Sequence, residues 1–289
     1  MKNKKFFIAF ILIFLVLIVH YTNGFKNKGN IIVIEKQVGK ENTYDDFNEI
    51  RDSKEVQKLK DLLASITWIR TKVSMEHPAN YKFHFDYINE EHRPNGLVYA
   101  LWISPSKDKI EIIMENKPRY AQLDKEKSAE LFEIIAGNKL ANANIQLPDA
   151  KPKDFNFIFN FGVGSKNQLD TFKGQFAKDM VEPGEPPATA DLRLTEDEMN
   201  IIYSEMKKIN ILSYPNNFTP KGTEECTPVF TFAIKIVVNG VEKTIHWENI
   251  RGSDTKTAIQ LKAFFNKIFE MIINKEEFKK LPPAKGTYS

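Results

Sequence analysis

The densest set of side chains that could bind a metal ion lies between residues 77 and 92. It contains three histidines and three carboxylates: His77, His84, Asp86, Glu90, Glu91 and His92. A zinc site needs three or four such groups that converge on one point. Alternation over residues 81–88 predicts a strand with His84 and Asp86 on one face, about 7 Å apart, and His92 joins them only if the next loop folds back. Polar residues on a solvated strand face give the same pattern, so we predict no metal site and no cofactor.

A histidine lies between two carboxylates in the last segment that alternates. Glu242, His246 and Glu248 share one face of this segment, and such a histidine can act as a general base. Alternation alone also requires a polar face here, so the pattern does not single out catalysis. We therefore predict no catalytic residue and no enzymatic activity. The alternative is a hydrolase whose site combines scattered carboxylates such as Asp170 and Glu248.

Neither the single cysteine nor a pair of glycines has the neighbours that a reactive thiol or a phosphate-binding loop requires. Cys226 is the only cysteine and follows Glu224 and Glu225, whereas a reactive thiolate needs positive neighbours. Gly162 and Gly164 follow a predicted strand, but neither a helix nor a Lys-Ser/Thr pair comes next, as a phosphate-binding loop requires.

Charged and polar side chains cluster on residues 169–180, which we predict to be a β-hairpin. Loops on rigid scaffolds often carry binding residues, so this polar strip is the candidate surface for a partner or glycan. The candidate binding residues are Asp170, Thr171, Phe172, Lys173, Lys178 and Asp179. The alternative is an exposed hairpin with ordinary solvating charges.

The elements that must position these residues begin with a segment that indicates export. Three lysines within residues 1–5 precede an unbroken apolar run over residues 6–19. Positive charges in front of an apolar segment keep the N-terminus in the cytoplasm. We therefore predict a signal anchor or transmembrane helix over residues 1–21, with everything after Tyr21 outside the cytoplasmic membrane.

Retention and cleavage of this segment both stay open. The apolar run is shorter than the ~20 residues of a spanning helix and lies within the range of a signal peptide. Cleavage needs small residues at two positions, and Thr22 and Gly24 are the ones that offer them. We expect a single-pass protein of the cell membrane with its C-terminal domains outside, or a secreted protein if the segment is cleaved. A lipid anchor is excluded, because Cys226 lies far from any attachment position.

The charge balance argues against nucleic acid as a partner. The chain has 41 Lys and Arg against 38 Asp and Glu, and because three of the lysines lie in the first five residues, the exported part is neutral. A neutral domain lacks the basic surface that a phosphate backbone requires. A single cysteine allows no internal disulfide, which suits a Gram-positive type of cell surface.

Composition divides the exported part into two domains. Residues 22–50 are polar and dotted with glycine, and we predict a stalk there, with an edge strand at residues 31–34 as the alternative. Residues 51–138 and 154–289 each combine helices with antiparallel strands, whereas residues 139–153 lose all periodicity and predict a linker. The predicted fold class is α+β: an N-terminal transmembrane or signal helix, then two small two-layer α/β sandwich domains with antiparallel sheets.

Local signals mark the ends of several elements. Gly137 is predicted to end a helix. Thr195 and Glu198 have the spacing of a capping box at the start of another. Asn239-Gly240, between two alternating segments, predicts a tight hairpin.

Several motifs of the second predicted domain carry a family resemblance. They are residues 169–180 (LDTFKGQFAKDM), 194–203 (LTEDEMNIIY), 213–215 (SYP) and 280–283 (KLPP). Over roughly residues 155–289 the chain resembles an uncharacterised Bacillus-type family of exported proteins, often lipoproteins. The resemblance implies an extracytoplasmic protein and supplies no chemistry, and the lack of a lipidated cysteine departs from the lipoprotein members. Residues 97–137 faintly resemble another small Gram-positive extracytoplasmic domain.

Together these patterns predict a membrane-anchored extracytoplasmic protein that acts as a non-catalytic binding or sensory module at the cell envelope. The expected partners are the membrane, through the N-terminal helix, and an envelope protein or wall component, but not nucleic acid. The alternatives are an envelope hydrolase and a structural or inhibitory partner of another membrane protein.

Overall fold

Two six-stranded antiparallel sheets, each with helices packed on one face, make up the described part of the chain. The computed structural model describes residues 29–87, 96–224, 226–248 and 251–288. The predicted α+β class with antiparallel sheets is confirmed. The predicted helix over residues 1–21 lies outside these ranges, and within them no helix combines the length and the apolar character needed to cross a membrane.

The first sheet has the strand order β2-β1-β3-β4-β5-β6. Its strands are β1 (Ile31–Gln37), β2 (Tyr44–Ile50), β3 (Tyr81–Asp86), β4 (Tyr99–Ile103), β5 (Ile110–Met114) and β6 (Arg119–Gln122). Helices α1 (Ser53–Ala64) and α2 (Lys125–Ala136) cover one face, and a 3-10 turn, Leu140–Asn142, follows α2. Leu101 of β4 and Leu131 of α2 are fully buried in the core between them.

Residues 31–50 belong to this sheet, which corrects the predicted stalk over residues 22–50. β1 lies inside the sheet between β2 and β3, with Ile32 and Ile34 fully buried. An inner strand that is apolar on both faces shows no alternation. The pairing of β1 with β2 also shifts register beside Ile34, and such a bulge interrupts the period of two. Without that period, residues 31–34 predict a strand only as the alternative to the stalk, and at the edge of the sheet, while β2 gives no strand signal.

The second sheet has the order β10-β9-β8-β7-β11-β12. Its strands are β7 (Asn156–Val163), β8 (Asn167–Asp170), β9 (Gln175–Lys178), β10 (Ala188–Asp191), β11 (Phe230–Val238) and β12 (Val241–Glu248). Its helices are α3 (Glu196–Lys208), α4 (Lys256–Asn274) and α5 (Glu276–Lys279), with a 3-10 turn at Ile211–Ser213. Phe159 of β7 packs against Phe265 of α4 with ring centroids 5.2 Å apart, so the aromatic stripe of β7 belongs to the core.

The three local signals end or start elements as predicted. Gly137 ends α2 in the left-handed conformation, with φ 62°. Thr195 and Glu198 form both hydrogen bonds of the capping box of α3. Asn239 and Gly240 join β11 to β12, both with positive φ, as a tight two-residue hairpin requires.

The two domains meet along β2 and β12, and the chain between α3 and β11 lies between these edge strands. On the β12 side His246 N donates to Asn216 O at 2.8 Å. On the β2 side Glu49 N donates to Thr219 O, and Thr219 N donates to Asn48 Oδ1, both at 2.7 Å. The main chain therefore links the two sheets through one shared segment.

The predicted linker, residues 139–153, is packed into both domains. Leu140 and Ala143 are buried in the first core, and Leu147 is buried in the second. The segment therefore connects the domains without separating them.

Candidate functional site

A cleft of about 400 Å³ opens between the two domains. The end of β2, the start of α1 and the last turn of α2 form one wall. The segment after α3 and the end of β12 form the other. Domain interfaces are a preferred place for ligand sites in proteins, so this interdomain cleft is the candidate functional site.

Direct contacts between the two walls hold the interdomain cleft in shape. Asn216 N donates to Gly137 O at 3.4 Å. The side chain of Asn138 bridges the same walls, because its Nδ2 donates to Tyr214 O and to Ala136 O, each at 3.1 Å. With the main-chain bonds at Thr219, these contacts preform the concave surface.

Two local sequence features shape the first wall. Asp52 caps α1, since its carboxylate accepts from Lys54 N at 2.9 Å and from Glu55 N at 3.0 Å. Gly137 brings the end of α2 against the other domain: a Cβ at this position would lie 2.8 Å from the Cβ of Pro215. Glycine is therefore required here both for its positive φ and for close approach.

Arg51 and Glu49 form an ion pair in the lining of the cleft, so their charges neutralise each other. Arg51 donates to Glu49 Oε2 from Nε at 3.1 Å and from Nη2 at 2.8 Å. The Glu49 side chain is only 7% exposed, and Arg51 also donates to Thr223 O, in the other domain, at 3.4 Å. This pair ties β2 to the second domain and leaves little charge free for a ligand.

Besides Asp52, three exposed carboxylates lie on the walls of the cleft. Glu55 and Glu133 come from the first domain and Glu248 from the second. Arg51 is the sole cation among the described residues that line the cleft. Opposite charges attract across a few ångströms even in a high dielectric, so the cleft is suited to a cationic group.

A second, smaller pocket of about 230 Å³ lies beyond the Glu49–Arg51 pair and contains part of the predicted metal cluster. His84 Nε2 lies 3.9 Å from Asp86 Oδ2 there. His77 is elsewhere, and its carbonyl accepts from the indole of Trp102 at 2.8 Å. Glu90, Glu91 and His92 lie outside the described residues. Within the described ranges, no three His, Cys, Asp or Glu side chains are placed to hold a metal ion.

The predicted hairpin is formed by β8 and β9, and two of its candidate residues shape the turn. Asp170 is 4% exposed, and its carboxylate accepts from Phe172 N at 3.0 Å and Lys173 N at 3.1 Å. The Thr171 hydroxyl accepts from Phe157 N at 2.8 Å and donates to Phe157 O at 2.9 Å. Both side chains therefore have structural partners.

Two other candidate residues hold residues 282–288 against the hairpin. Lys178 Nζ donates to Pro282 O at 2.8 Å, and the Asp179 carboxylate accepts a hydrogen bond from the Tyr288 hydroxyl. At the tip, Phe172 is 49% exposed and the Lys173 side chain 72% exposed. Partner recognition by this strip stays a prediction, and the tip is the part of it that is open to a partner.

The two carboxylates named for a hydrolase are far apart. Asp170 lies on β8 and Glu248 on β12, with β7 and β11 between them. Three strand spacings of ~4.8 Å separate them by at least about 14 Å, whereas paired catalytic carboxylates of glycosidases lie roughly 5–9.5 Å apart. These two residues therefore cannot act as one acid–base pair.

No pattern in the sequence points to the interdomain cleft. Its carboxylates lie on separate elements of two domains, and no spacing in the chain brings Glu133 near Glu248. Gly137 was the single local signal, and it predicted a helix end without showing what packs against it.

Comparison with known proteins finds a family match for one of the two domains. Residues 25–141 match the profile of a family described as YhfM protein. The matched range contains the whole first sheet with α1 and α2. No curated protein and no solved structure shows significant similarity to the chain.

Proposed function

We propose that this chain is a membrane-anchored, extracytoplasmic binding protein of the cell envelope, whose interdomain cleft accepts a cationic group of its ligand. One observation carries the proposal: a preformed cleft whose two walls carry exposed carboxylates from both domains. Export rests on the lysines of residues 1–5 and the apolar run behind them. No chemical step is part of this function.

The direct test of binding is thermal unfolding of the full chain, purified in mild detergent, with and without a lysine pentapeptide at low ionic strength. A ligand that binds only the folded state stabilises it by about 2.7 kcal/mol at a hundredfold excess over its dissociation constant. We expect stabilisation by the lysine peptide and none by a glutamate pentapeptide. The effect falls as salt is added, because ions screen exposed charges.

Two neutral substitutions locate the binding to the cleft. Each exposed ion pair contributes about 0.2–1 kcal/mol, so Glu133→Gln with Glu248→Gln weakens binding by about tenfold. The control is Glu270→Gln, which removes one exposed carboxylate of α4 outside the cleft. Equal affinity of the cleft variant and the control would show that the peptide binds elsewhere. If the lysine peptide does not stabilise the wild-type protein at all, the proposal of a cationic ligand is wrong.

Export has its own test, so that it can fail separately. Protease added to intact cells is expected to digest the C-terminal domain, since residues after Tyr21 are proposed to lie outside. Full protection until the cells are lysed would contradict this location while leaving the cleft experiment unaffected.

A further inference from the structure

A buried lysine bridges the two domains behind the interdomain cleft. Lys243 of β12 is 6% exposed. Its ammonium donates to Asn138 Oδ1 of the first domain at 2.5 Å and to Asn216 Oδ1 of the second at 2.7 Å. Both acceptors are neutral amides, so the lysine is held at the junction without a compensating negative charge. A buried charge without an opposite charge is costly to keep.

A second lysine faces it from the first domain. Lys36 of β1 places its ammonium over the rings of Phe47 and Tyr81, 5.0 Å and 5.8 Å from the centroids. Burial lowers the pKa of Lys36 to about 8. Burial also lowers the pKa of Lys243 to about 7, with a further decrease from the positive charge of Lys36. The positive charge of Lys36, from the first domain, thus acts on Lys243 of the second domain across the junction.

The other titratable groups around the junction line the interdomain cleft and a pocket of about 170 Å³ on the Lys36 side. By element they are Asp45, Asp46 and Glu49 of β2, Arg51 and Asp52 after it, Glu55 of α1, Glu133 of α2, Tyr214 after α3, Glu248 of β12 and Lys256 of α4. Asp46 pairs with Lys221 at 3.3 Å, and Glu49 pairs with Arg51. Among the described residues, no carboxylate forms an ion pair with Lys36 or Lys243.

We propose that the domain junction is a pH-responsive joint, in which charging Lys243 opposite Lys36 favours separation of the two domains and neutralising it favours the closed arrangement. In the closed arrangement a neutral amine can still donate to both amide oxygens. In an opened junction the ammonium is hydrated. This inference rests on the junction itself and does not depend on the ligand proposed for the cleft.

The sign and the pH window follow from proton linkage. Opening returns the pKa of Lys243 from about 7 towards the ordinary lysine value of 10.5. Between these two values the open form binds more protons, so opening becomes more favourable as the pH falls through this window and levels off below pH 7. From pH 9.5 to pH 6.5 the ratio of open to closed molecules rises on the order of a hundredfold.

The test is the distance between two spin labels, one in each domain, measured in the full chain in mild detergent. Cys226→Ser removes the native thiol, and Lys58→Cys on α1 with Lys262→Cys on α4 provides exposed label positions. We expect one distance at pH 9.5 and an additional, longer distance at pH 6.5. A distance distribution that is the same at both pH values would overturn the proposal.

Three substitutions assign the effect to the junction. Lys243→Met replaces the ammonium with an unbranched apolar side chain one heavy atom shorter, so the longer distance should disappear at pH 6.5. Lys36→Met removes the facing charge from the other domain and should reduce the longer distance, which keeps the test decisive if Lys243→Met fails to fold. Lys235→Met, on the exposed side chain that pairs with Glu242 at 3.0 Å, is the matched control and should behave as wild type. Wild-type pH dependence in both junction variants would contradict the proposal.

Discussion

Replacing Gly137 by alanine tests whether the two domains form one closely packed unit. Gly137 ends α2 with φ 62° and lies against the second domain. A Cβ there would lie 2.8 Å from Pro215 Cβ and 3.0 Å from Asn216 N. The added methyl group must therefore push apart two backbone segments from different domains.

The expected loss of stability has two parts. A non-glycine residue in the left-handed region costs roughly 1 kcal/mol, and overpacking against backbone costs about 1–3 kcal/mol more. Gly137→Ala should therefore lower the free energy of unfolding by about 2–4 kcal/mol. Gly39→Ala is the matched control, since Gly39 has φ 67° and a Cβ there would meet nothing within 4 Å. It should lose only the roughly 1 kcal/mol due to the backbone.

Urea unfolding of the full chain, followed by tryptophan fluorescence, measures both variants. Trp68 and Trp102 belong to the first domain and Trp247 to the second. A Trp247→Phe background therefore reports on the first domain alone, and a background with both Trp68→Phe and Trp102→Phe reports on the second alone. We expect Gly137→Ala to shift both transitions further than Gly39→Ala does. If the two variants lose the same stability, the contact between Gly137 and Pro215 does not hold the domains together and the reasoning about the junction is wrong.

Two further predictions concern the hairpin of β8 and β9. Thr171→Val removes the hydroxyl that bonds both main-chain groups of Phe157 and should lower the free energy of unfolding by about 1–3 kcal/mol, whereas Thr189→Val, on the exposed strand β10, should change it little in the same urea titration. Lys173→Glu reverses the charge at the exposed tip and should weaken chemical crosslinking to an envelope partner in intact cells, with only a small decrease in the melting temperature from loss of the 3.5 Å pair with Asp170. Crosslinking that equals wild type would show that the tip takes no part in recognition.

Periodicity and capping residues were sufficient to predict the fold class and most of the second domain. The capping box at Thr195 and the hairpin at Asn239-Gly240 are local signals, because residues close in the chain are enough to form them. The first two strands lack such a signal, so residues 31–34 were predicted as a strand only in the alternative to the stalk and β2 was not predicted. β1 is apolar on both faces and β2 is bulged, so neither shows the period of two that marks a half-buried strand.

The candidate site could not be predicted from sequence, because the tertiary fold assembles it. Glu133 and Glu248 are brought together by the packing of α2 against the segment after α3, which no local pattern encodes. The sequence gives even less indication that Lys243 is buried at the domain junction. In the alternating segment 241–247 it looks like one more lysine, and its burial depends on Asn138 and Asn216, which lie far away in the chain.

The most direct measurement of the central claim is photo-crosslinking in intact cells from a photoreactive residue placed at Asn217, which is exposed and lines the interdomain cleft. The same residue at Lys262 on α4 serves as the control. The account predicts an adduct from position 217, none from position 262, and loss of the adduct when a lysine pentapeptide is added outside the cells. The same adducts from both positions, or an adduct that the external peptide does not displace, would contradict a ligand bound in the interdomain cleft outside the membrane.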